Sequence, residues 1–181
     1  MPTTPERFVT DLLARASQVT GASLLPPPLV IRLAYALGAS SIDDVVYLDA
    51  DLGPIGDRLT GQLTAYTDRH VAVVRFADVP RDAFNASGGG DVAVTVLPRT
   101  ALTRVEIVPI ADADDLDAWR GGSLQSSYWP PAPVTLVYAG LTEPLVLPLG
   151  RNAENLLPFY PSLLDDLAAT RPALRGGPPC P

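Results

Sequence analysis

The sequence predicts an α+β fold: a short helical segment at the N-terminus, then seven antiparallel strands, then a closing C-terminal helix. Three observations carry this. Apolar residues recur at helical spacing over the first forty positions. Between about residues 44 and 149 the period changes to two, with strand-length runs separated by turn residues. After residue 152 the helical period returns.

The elements follow in order. Thr3-Thr4-Pro5-Glu6 supplies a hydroxyl cap and a proline at the first turn, and Phe8, Val9, Leu12, Leu13, Ala16 and Val19 then repeat on one helical face until Gly21. Pro26-Pro27-Pro28 is a stiff connector. A second helix is expected from Pro28 to Leu37, stopped by Gly38. It is apolar on most sides, so it is either core or a contact surface. Strands are expected at 44–52, 58–66, 70–77, 91–97, 102–110, 134–139 and 144–149. Arg58–Tyr66 alternates most cleanly, and Thr67-Asp68-Arg69 is short enough to turn it into the next strand. Asn152 is a possible cap for a first helical turn. Pro158 and Pro161 are expected to interrupt that turn, with a second helix opening at Pro161 and ending at Arg171-Pro172. The organisation read from this is a helical segment at 1–40, a β-rich domain at 41–170, and a Gly/Pro-rich flexible tail at 171–181.

Composition excludes much chemistry. All thirteen basic residues are Arg, so no P-loop, Schiff-base or Ser-x-x-Lys chemistry is available. Net charge is −7 and is spread evenly: residues 1–90 hold seven Arg against ten acids, and residues 91–181 hold six against ten. No basic patch is present to neutralise phosphates, so nucleic acid and anionic membranes are not expected partners. The single Cys180 and single His70 exclude an internal disulfide and any site built on several His or Cys ligands. Neither a cofactor nor a metal is expected. The first twenty residues lack a signal-peptide core, and the apolar stretch 24–39 is short and broken by prolines and Arg32, which points to a cytoplasmic protein.

Two segments have a family resemblance. Leu63-Thr64-Ala65-Tyr66-Thr67-Asp68-Arg69-His70-Val71-Ala72-Val73 is an alternating strand, a tight turn and a returning apolar strand. Leu97-Pro98-Arg99-Thr100-Ala101-Leu102-Thr103-Arg104-Val105-Glu106-Ile107 is a proline junction leading into another strand. Together with the element order, they resemble the pleckstrin-homology-like (PH-like) and bacterial GRAM-type domains over roughly residues 42–169. The resemblance implies a seven-stranded antiparallel barrel closed by a C-terminal helix, with Leu156, Leu163, Leu164 and Leu167 as the plug. The loop at 53–57 lacks the basic cluster of lipid-binding members, so phosphoinositide recognition is not implied.

The candidate chemistry is thin, and no catalytic residue is assigned. A Ser-His-Asp triad would have to use His70, whose place at a strand start reads as structural. Asp112, Asp114, Asp115 and Asp117 miss the calcium-loop spacing and read as a solvated acidic loop. Asp49 and Asp51 share a strand face and read as exposed edge charges. Gly88-Gly89-Gly90 precedes a strand, whereas phosphate loops follow one. The interaction candidates are Trp119, Tyr128 and Trp129 in a proline-rich loop, and Leu29 and Leu33 on the apolar helix. The expectation is a non-catalytic protein-interaction or adaptor module, with a protein partner or self-association, including a homodimer. The alternative is a small-ligand-binding protein or enzyme using the barrel interior or mouth. A cavity with inward ionisable groups favours the alternative, and a filled interior with an exposed apolar patch favours the module.

Overall fold

The computed structural model describes residues 5–20, 25–38, 41–53, 56–81, 89–107, 133–149, 154 and 156–170. Two helices open the chain, α1 (Pro5–Thr20) and α2 (Pro27–Leu37). Pro27 sits in the first turn of α2, where its missing N–H is no loss, and Gly38 ends the helix in the left-handed conformation, its N–H donating to Ala34 O. Four strands follow: β1 (Tyr47–Asp51), β2 (Arg58–Tyr66), β3 (His70–Pro80) and β4 (Asp91–Pro98). They form one antiparallel sheet in sequence order. Then come β5 (Leu102–Ile107), β6 (Val134–Tyr138) and β7 (Leu145–Leu147), a second antiparallel sheet, and α3 (Leu156–Thr170). The architecture is α+β with two sheets of four and three strands, and no closed barrel is found among the described residues.

The first sheet is covered on both faces. On one face Leu48, Ala50, Leu63, Ala65, Ala72, Val74 and Phe76 share a core with Phe8, Leu12 and Ala16 of α1 and Leu29, Val30 and Leu33 of α2. On the other, Tyr47, Tyr66, Val71 and Val73 meet Leu136, Tyr138, Leu145 and Leu147 of the second sheet, with Leu156, Phe159 and Leu163 of α3. Period two in β1 to β3 therefore separates two apolar cores. Gly61 is required where β1 crosses β2, because a Cβ there would strike Asp51 O and the backbone of Leu52.

The closing helix differs from expectation in two ways. It runs unbroken from Leu156 through Thr170, with Pro161 inside it. Pro158 lies in the first turn, whose N–H groups have no helical acceptor, and Pro161 removes only one bond just beyond it, so packing of the apolar face outweighs the loss. Of the four residues expected to plug the core, Leu156 and Leu163 are buried and Leu167 is partly so, but Leu164 faces outward. Phe159 takes the central place, stacked on Tyr47 at 4.7 Å between centroids.

Candidate functional site

Three charged groups lie in or against the core, and each acts as a fastener. Asp49 is completely buried, not an exposed edge charge. Its carboxylate accepts from Tyr47 O–H (3.1 Å), Ala50 N–H (2.7 Å) and Leu149 N–H (2.6 Å). Asp51, two positions on, is exposed and accepts from Gly53 N–H, so the pair does not converge as acid and base. Arg15 of α1 makes a bidentate pair with Glu154 (2.6 and 2.9 Å) and donates to Val45 O and Ile42 O. Glu154 also accepts from Leu48 N–H (3.1 Å), a group on the outer edge of β1.

Arg99, only 7% exposed, ties the turn after β4 to α3. Its guanidinium donates to Asp166 (2.8 Å), to Ser162 Oγ and O (2.9 and 3.2 Å) and to Thr67 O (3.0 Å), and lies 5.4 Å from the Phe159 ring centre. Burial raises the Asp166 carboxyl above the ordinary range, opposed by the Arg99 hydrogen bond and charge. Tyr138 O–H donates to Tyr66 Oη across the sheets at 3.3 Å. Burial pushes the Tyr138 phenol up to about 12 and raises Tyr66 and Tyr47 well above theirs, Asp49 adding to the effect on Tyr47.

Two concavities accompany these groups. One, about 250 Å³, is lined by Tyr47, Arg99, Glu154, Phe159 and Ser162, whose polar groups are engaged in the bonds above. The other, about 460 Å³, lies between the end of α2 and the β2–β3 turn and includes His70, Asp44, Asp68 and Arg69. His70 is exposed, no Ser or Cys is among the described residues lining that groove, and the one hydroxyl there, Thr67 Oγ1, is engaged in the turn by the N–H groups of Arg69 and His70. Among the described residues no cluster of His, Cys, Asp and Glu could hold a metal ion.

A third feature is a surface. Beside the groove, β4 is an edge strand paired only with β3 among the described residues. Val94 and Val96 are 39% and 43% exposed. They share the face on which α2 lies, and α2 has exposed apolar residues of its own, Ile31 and Tyr35, the latter 84% exposed. Neighbouring Ala93 is exposed on the opposite face of the strand. From Val92 to Leu97 the edge carries no charge, glycine or proline. Protective devices of that kind normally blunt an exposed edge.

The residues singled out from sequence fall differently. Leu29 and Leu33 are fully enclosed in the α1–α2–sheet core, and the outward residues of the same helix are Ile31, Arg32 and Tyr35. Trp119, Tyr128 and Trp129, with the acidic run 112–117, lie outside the described residues. Arg15, Arg99 and Glu154 had no motif to mark them. The one available signal for Arg99 was its position beside a proline junction between strands. No family model matches the chain, and no curated protein matches it. Among the described residues, no helix is long and apolar enough to cross a membrane.

Proposed function

We propose that this chain is a non-catalytic protein-interaction module of PH-like build that takes an extended segment of a partner along β4. One observation carries the reading: among the described residues β4 has no neighbour beyond β3, its run Val92–Leu97 is uncharged, and Val94 and Val96 stand exposed on it. Addition of a strand satisfies the edge backbone and covers the valines in one step. The PH-like assignment is supported by the division of seven antiparallel strands into four and three, with α3 filling the space between the sheets. The cytoplasm is the compartment that suits a chain with one cysteine.

The interior argues for the module over the small-ligand alternative. The space between the sheets is filled by Tyr47, Tyr66, Tyr138, Phe159 and leucines. The buried charges there, Asp49 and Arg99, are held by hydrogen bonds within the chain. A photo-crosslinking residue placed at Val94 in the full chain, in cells, tests the reading. Expected are adducts that mass spectrometry maps to one extended segment of one protein, with none from a probe at Arg7 on the exposed side of α1. If position 94 yields no protein adduct, the docking reading is wrong.

A further inference from the structure

The geometry points to a second copy of this chain as the occupant of the edge, with β4 pairing antiparallel to its own copy about a two-fold axis through Val94. The inference rests on the docking reading above and names its partner. It starts from the direction of the backbone groups. Arg99 N–H donates to Arg69 O, and Thr67 N–H donates to His70 O at the other side of β3. Antiparallel alternation then turns the N–H and C=O of Thr95 and Leu97 toward β3, and those of Val92, Val94 and Val96 toward the edge that no described strand covers. Pro98, which has no N–H to offer, also falls on the outward side, where none is needed.

Closed symmetry selects the register. Directly opposed residues of an antiparallel pair lie on the same sheet face, so a two-fold axis normal to the sheet must set a residue against itself. Centred on Val94, the axis pairs Val92 with the copy's Val96, Ala93 with its Thr95, and Asp91 with its Leu97. Centring on Thr95 would bring Pro98 into the paired segment and Asp91 opposite Arg99, which is buried and already engaged.

Charge favours the self-pair. The chain carries −7 overall, so two copies meet at least cost where neither is charged, and the run Val92–Leu97 is such a place. The two Asp91 carboxylates stand at opposite ends of the paired segment, six residues apart in register, roughly 20 Å. Each lies toward the end where the other copy exposes Arg69. The valines of both strands fall on the α2 side and form β-branched cross-strand pairs, and the two four-stranded sheets become one continuous sheet.

Sedimentation equilibrium on the full chain between about 1 and 100 μM should show a dimer. Val94→Arg sets like charges face to face at the axis and should weaken association at least about 100-fold. Val94→Pro removes only an outward N–H and should dissociate the dimer with an unchanged far-ultraviolet spectrum, which separates loss of pairing from loss of fold. In a Cys180→Ser background, Val94→Cys should oxidise to a cross-linked dimer, since hydrogen-bonded partners stand about 5.5 Å apart between Cα atoms. Ala93→Cys, opposite Thr95, should cross-link far less. A wild-type monomer across the range, or a dimer indifferent to both Val94 variants and to the cysteine position, overturns the inference. A monomer whose position 94 crosslinks to a different protein overturns the second copy while leaving the docking reading standing.

Discussion

The two edges of the first sheet are finished in opposite ways. The outer edge of β1 is sealed: Leu48 N–H goes to Glu154, Glu154 is clamped by Arg15, and Asp49 takes the N–H of Leu149. Those groups hold a returning segment of chain against the strand. Among the described residues the outer edge of β4 has none of this, and Val94 and Val96 stand exposed on it. The described residues thus contain both the means of closing an edge and an edge left without them. The difference locates where intermolecular pairing is possible more sharply than hydrophobicity alone does, because exposed apolar residues are common on any protein.

The largest effect should come from breaking the sealed side. Asp49→Ala leaves a buried phenol and two amides without their acceptor, and should cost about 4 kcal/mol in urea unfolding. Alkali attacks the same region. The folded values of Tyr47, Tyr66 and Tyr138 lie above that of an exposed phenol, so the folded state holds protons that the unfolded state has lost. Stability is therefore whole below about pH 10 and falls as pH rises beyond it. Tyr138 alone should remove about 2 kcal/mol by pH 12, seen as tyrosinate absorbance rising together with unfolding.

A proline pair then compares the two sides of β4. Thr95→Pro deletes a bond to β3 and should cost about 2 kcal/mol, whereas Val94→Pro should cost under about 1 kcal/mol in the monomer. A larger cost at Val94 would mean that the edge assignment is reversed, and equal costs would contradict it. Glu154→Gln weakens a quarter-exposed pair and should give the smallest change, about 1 kcal/mol, with faster amide exchange at Leu48 as the local readout.

Local pattern made much of this legible. Gly38 as a helix stop and Arg58–Tyr66 as a strand follow from residue type and spacing, and both stand as read. What failed was anything decided at long range. Asp49 looked like an edge charge because nothing near it in sequence tells that Leu149 and Glu154 come back against β1. Pro158 and Pro161 looked like a break because the packing of Phe159 on Tyr47 is invisible from the helix alone. Leu29 and Leu33 could be core or contact on the same evidence of periodicity, and only the position of α2 over β3 and β4 decides it.

The Arg15–Glu154 clamp joins positions 139 residues apart. During synthesis, β1 emerges and pairs with β2 long before the carboxylate that completes the clamp has been made. For that interval the nascent sheet presents two bare borders instead of one, and crowded ribosomes translating the same message hold several such chains close together. Late closure therefore makes translation the stage at which this chain is most exposed to pairing through the wrong strand.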